Sequence, residues 1–137
     1  MIEKHHSLSD EQFKTQFDAC TLDPELFSHE AHIRLAWLHL MECNISEAII
    51  NIKRQLKAFV KHVGAEDKYH ETLTIASLKI VNHFVEQSET TTFPSFINEF
   101  PRLLTHFKEL VEAHYSRNIL DSSQARQNYL EPDLLRF

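Results

Sequence analysis

Apolar residues recur along this chain at intervals of three and four, the spacing of one face of an α-helix. Phe13 and Phe17 form such a pair. Ser9 can cap the helix that carries them, and Gln12 completes a capping box, which predicts a helix over residues 9–19. Residues 22–27 form a proline-containing loop. Ser28 is a good cap for a second helix over 29–42. Its apolar residues (Ala31, Ile33, Leu35, Ala36, Trp37, Leu38, Leu40, Met41) surround much of the axis, so this helix is expected to be central and largely buried. The strip left for solvent carries Glu30 and Arg34, an i,i+4 ion pair of about 0.3 kcal/mol.

Ser46 is expected to cap a third helix bearing Ile49, Ile52, Leu56, Phe59, Val60 and Val63. Gly64 stands where a left-handed residue should end it. Asp67 can cap a fourth helix that runs through Leu73, Ala76, Ile80 and Phe84 to about residue 86. The threonines at 90–92 and the residue before Pro94 disfavour helix and predict a connector. Shorter helical pieces follow at 94–100, 101–114 and 122–130, with Pro101 breaking or kinking the path, and residues 131–135 extend beyond them. The expected fold is all-α: a compact up-and-down bundle of about four main helices with shorter C-terminal helices. It is expected to form one domain over 1–137, with residues 1–8 a mobile N-terminus.

Composition sharpens this picture. An average chain of this length would hold on the order of ten glycines, and this one has a single glycine. Tight hairpin turns lean on that residue, so a many-stranded β fold is disfavoured. The formal net charge of −6 argues against nucleic-acid binding, which needs a basic face. No apolar run approaches the ~20 residues that span a bilayer, and residues 1–10 lack the apolar core of a signal peptide. Cys20 and Cys43 have no metal-type spacing and are expected to be reduced, in a cytoplasmic protein.

The chain's ten histidines raise the question of chemistry. Two segments stand out: Phe27-Ser28-His29-Glu30-Ala31-His32 and Lys68-Tyr69-His70-Glu71-Thr72. Each occupies the first turn of its predicted helix. His29 and His32 share a face that Ala36 and His39 continue, while His70, Thr74 and Ser77 line another stripe. In an up-and-down bundle the starts of helices two and four fall at the same end, so the two segments are expected to meet.

Three uses of such a site compete. His29, His32, His70 and Glu71 can bind a divalent metal such as zinc or iron, and the helix termini favour neutral, ligand-ready imidazole. His-Glu-Ala-His is not the metalloprotease motif, whose second histidine comes one residue later. Alternatively, the paired helix N-termini bind a small anionic or polar molecule with help from Tyr69, walled by Trp37 and bordered by Thr74, where His70 or Glu71 acts as general acid or base. In the third use the histidines cap helix ends and form a packing network, in a protein that is structural or binds a partner. His5 and His6, at the mobile end, and His39, His62, His83, His106 and His114 default to structural roles.

These segments, with Ile33-Arg34-Leu35-Ala36-Trp37, Leu73-Thr74, Tyr115-Ser116, Ser122-Ser123-Gln124-Ala125-Arg126 and Glu131-Pro132-Asp133-Leu134, resemble a family of small, functionally uncharacterised, all-helical bacterial proteins. The resemblance spans about residues 27–135. It implies that His29, His32, His70, Glu71, Arg126 and Asp133 belong to the family pattern, without implying an activity. Arg126 can grip a carboxylate or phosphate with two prongs, or tie the tail to the body through Asp133 or Glu131.

Overall fold

In the computed structural model, which describes residues 2–137, the regular elements are all helical, and no strand occurs among the described residues. The chain divides into two compact units, Met1–Lys68 and Tyr69–Phe137. No shift in composition marks that division in the sequence.

The first unit contains a 3-10 turn at Lys4–Ser7, α1 (Asp10–Asp18), a 3-10 turn at Pro24–Leu26, α2 (His29–Glu42), α3 (Ile45–His62) and a 3-10 turn at Glu66–Lys68. The capping box at the start of α1 is formed: Ser9 Oγ accepts from the Gln12 amide at 3.1 Å, and Gln12 Oε1 accepts from the Ser9 amide at 2.8 Å. Ser28 Oγ caps α2 through the Ala31 amide at 3.2 Å. As its apolar girdle requires, α2 buries Ala31 and every residue from Ile33 to Leu40. The third helix starts earlier than Ser46 would place it. Asn44 is as good a cap, its Oδ1 accepts from the Glu47 amide at 2.9 Å, and Ile45 joins the helix. At the other end Gly64 has φ +73°, with Gly64 N–H bonded to Lys61 O and Ala65 N–H to Val60 O. That pair of bonds is a Schellman motif, and glycine is the residue that enters it without strain.

Aromatic contacts set the direction of these helices. Phe27, just ahead of α2, lies 5.2 Å edge-on to Phe59, late in α3. Phe17 of α1 packs against both, at 4.8 and 4.9 Å. The other ends of α2 and α3 are joined through Cys43 and Asn44 alone, so the two helices run antiparallel.

The second unit comprises α4 (Glu71–Gln87), α5 (Phe93–Glu99), α6 (Arg102–Thr105), α7 (Phe107–Glu112), α8 (Arg117–Leu120) and α9 (Ser123–Gln127), with α7 and α9 packed on α4. Asp67 does not cap α4, because it is held in the preceding 3-10 turn. His70 does so instead, its Nδ1 accepting from the Leu73 amide at 3.0 Å. In the threonine connector, Thr92 caps α5 through the Ser95 amide, with Pro94 in the first turn, where its missing N–H costs nothing. The stretch read as one helix over 101–114 breaks at His106 (φ −135°, ψ 31°) into α6 and α7. The last piece, expected over 122–130, is shorter at both ends: Ser122 caps α9 rather than opening it, and extended Asn128 ends the helix early. Among the described residues, no helix is long and apolar enough to cross a membrane.

Candidate functional site

The Leu8 amide closes the 3-10 turn at Lys4–Ser7 by donating to His5 O at 3.1 Å, and Arg34 of α2 supplies further donors to this segment. Its NH1 donates to His5 O at 2.7 Å, and its NH2 donates to Leu8 O and to Asp10 Oδ1, both at 2.9 Å. Its guanidinium also lies over the Phe13 ring, 4.8 Å from the centroid. Arg34 is therefore buried, at 4% exposure. This corrects the surface strip expected of Glu30 and Arg34: a fork with several acceptors gains more than a solvated i,i+4 pair.

Arg34 also fixes the state of His5. Its NH1 lies 3.3 Å from His5 Nδ1, and a guanidinium only donates, so Nδ1 accepts and the ring proton sits on Nε2. Nε2–H then donates to Glu30 Oε2 at 2.6 Å, and His6 Nε2 reaches the same oxygen at 2.9 Å. The two imidazoles lie 4.2 Å apart, tilted by 31°. Glu3 Oε1 stands 3.5 Å from His5 Nε2 and accepts a hydrogen bond from Ser28 Oγ. Among the described residues, His5, His6 and Glu30 are the one group of three or more such side chains whose ligand atoms all lie within 4.8 Å of one another.

The N-terminal segment is thus seated on α2 rather than set apart from it, and His5 is fully buried. Sequence reasoning gave His5 and His6 structural roles and Glu30 a surface ion pair with Arg34, and so did not bring the three together. The His5-His6 tandem followed directly by the Ser9 capping box was the available signal, since a fixed helix start constrains the residues just ahead of it.

Burial pushes the His5 imidazole below its usual range, against the opposing pull of its bond to Glu30. Burial, aided by Lys14, lowers that of His39 as well. Both rings are harder to protonate in the folded chain than in the unfolded one, where histidine titrates near 6.5. The unfolded form therefore binds more protons below that pH. The stability these rings contribute is complete above about pH 6.5 and is lost as pH falls toward their depressed folded values. Trp37 is the chain's one tryptophan, buried in α2. The urea midpoint followed by its fluorescence is expected to drop between about pH 7.5 and about pH 5.5, and His39→Gln should make that drop shallower.

The residues singled out from the sequence divide between the units. In the first, His29 is exposed at the start of α2. His32 stacks on Phe27 with centroids 3.7 Å apart and donates from Nδ1 to Ser28 O at 2.7 Å. Trp37 is core. In the second unit Tyr69, His70, Glu71, Thr74 and Arg126 lie together at the start of α4. Both ring nitrogens of His70 are engaged, Nδ1 as the cap and Nε2 donating to Leu120 O at 2.9 Å. Tyr69 donates its hydroxyl to Glu71 Oε1 at 2.7 Å. Burial, then that carboxylate, raises the phenol well above its usual range, so it remains a donor. Thr74 donates back to His70 O, and Arg126 NH1 donates to Tyr69 O at 3.2 Å. Asp133, pictured as a partner for Arg126, accepts from the Ser116 amide at 2.9 Å.

What these features define is an all-α protein with a part-buried cluster of imidazole and carboxylate groups in its first unit. Comparison of the chain with protein families, curated sequences and solved structures finds no match.

Proposed function

We propose that the first unit binds a divalent transition-metal ion through His5 Nε2, His6 Nε2 and Glu30 Oε2. The observation that carries this reading is the convergence of three ligand atoms of the right chemistry from two separate chain segments. Imidazole and carboxylate suit zinc, iron(II) or cobalt(II) better than magnesium or calcium. The spacings of 2.6 and 2.9 Å are those of hydrogen bonds. Around one ion with ligand bonds of 2.0–2.2 Å, tetrahedral donors stand about 3.4 Å apart, so loading opens the cluster by less than about 1 Å and displaces the Nε2 protons. The displaced His5 proton moves to Nδ1, and Arg34 gives up its 3.3 Å contact while keeping the 2.7 Å bond to His5 O. Three protein ligands leave a coordination position for a small anionic or polar molecule, the ligand class the sequence suggested.

Untagged protein is expected to take up one equivalent of zinc or cobalt(II) in calorimetric titration. An ion held at a hundred times its Kd should add about 2.7 kcal/mol of stability. His6→Ala and Glu30→Gln should each weaken binding at least about tenfold. Wild-type protein that takes up no ion would end this reading, as would binding indifferent to both substitutions.

A further inference from the structure

Glu3 stands at the edge of the cluster and has no part in the three-ligand set. The structure assigns it, we infer, the fourth place: Glu3 is the resident ligand that closes the metal site, and carboxylate-bearing molecules compete with it for the ion. This rests on the metal reading above.

Distance is the first argument. Glu3 Oε1 is 3.5 Å from His5 Nε2, already close to the separation of about 3.4 Å that two donors adopt around one tetrahedral ion. Its side chain is 44% exposed, so a rotation of the carboxylate toward Glu30 meets solvent rather than core. Ser28 Oγ holds the present position. Ser28 caps α2 and Glu30 lies in the first turn of that helix, so Glu3 is moored beside the very turn that carries the other carboxylate.

Charge is the second argument. Asp10 pairs with the Arg34 guanidinium, while the carboxylates of Glu3 and Glu30 both face the His5 imidazole, so three carboxylates share one guanidinium's charge. That leaves a formal excess of two negative charges among these groups, and a divalent ion cancels it. Imidazole ligands bind neutral and do not alter the balance. Without Glu3 the same ion would leave the cluster, Arg34 included, with a net positive charge.

A site closed by a half-exposed carboxylate from residue 3 has consequences for ligands. Three of its four donors lie in residues 3–6, so the ion ties this segment to α2. Its exchangeable position is shaped for a carboxylate, because the protein supplies one there.

Cobalt(II) reports coordination number through the intensity of its visible absorption, and acetate imitates the missing side chain. Cobalt-loaded wild type should show the intense bands of a four-coordinate site and change little with millimolar acetate. Glu3→Ala should bind cobalt at least about tenfold more weakly and show diminished bands that acetate restores. Glu11→Gln, an exposed carboxylate elsewhere, should match wild type. A Glu3→Ala spectrum identical to wild type would overturn the inference, and so would weakened bands that acetate fails to restore. Absence of cobalt binding in the wild type would instead strike the metal reading itself, so the two failures are distinct.

Discussion

Replacing Arg34 with methionine is expected to lower the stability of the first unit by about 3 kcal/mol. Methionine keeps much of the buried stem, so the loss reports the guanidinium rather than a cavity. That group donates to His5 O, Leu8 O and Asp10 Oδ1. A hydrogen bond to a charged group contributes roughly 1.5–3 kcal/mol. Asp10 is half exposed and can fall back on water, so its bond adds little. The carbonyl of His5 keeps its bond from the Leu8 amide at 3.1 Å, so the part-buried carbonyl of Leu8 is the costly one to strand. Urea denaturation followed by Trp37 fluorescence reads this unit specifically. Arg34→Lys should recover only part of the loss, since one ammonium cannot span acceptors that a planar fork reaches together. A loss below about 1 kcal/mol for the methionine variant would mean that the N-terminal segment is not anchored as described.

The helices were legible wherever pattern and cap agreed. Ser9 with Gln12, Ser28 and Gly64 each marked a terminus that the structure places at the same residue, because a local hydrogen-bond pattern fixes it. Boundaries failed where two capping residues competed. Asn44 took the role expected of Ser46, and His70 that of Asp67, and the choice in each case depends on the path of the preceding loop. The cluster was illegible for a different reason. His5 and His6 lie some 25 positions from Glu30 in the chain, and their docking depends on Arg34, whose spacing from Glu30 has a ready local explanation as a surface ion pair. Sequence spacing shows which residues share a helix face. It does not show which distant segment comes to cover that face, nor that a guanidinium turned inward will hold it there.

The second unit is closed by its own C-terminal segment, and Thr72→Val should loosen that closure at a cost of about 2–3 kcal/mol. Thr72 is fully buried in the first turn of α4. Its hydroxyl donates to Asn128 O at 2.7 Å and accepts from the Leu130 amide at 3.1 Å, so one oxygen serves two backbone groups just beyond α9. Valine matches threonine in shape but offers neither bond, and both backbone groups are then stranded against an apolar methyl. The segment has further moorings: Tyr115 donates to Leu130 O at 2.7 Å, and the Leu134 amide to His114 O at 3.0 Å. It should therefore fray at residues 128–130 rather than detach. The chain's three tyrosines, Tyr69, Tyr115 and Tyr129, all lie in this unit, so near-ultraviolet circular dichroism in the tyrosine band follows its unfolding apart from the Trp37 signal. Hydrogen exchange at the Leu130 amide should accelerate in the valine variant and stay near wild type in Thr72→Ser, which keeps the hydroxyl. A valine variant as stable as wild type, with Leu130 equally protected, would show that the tail is held by its other bonds and that Thr72 merely fills space.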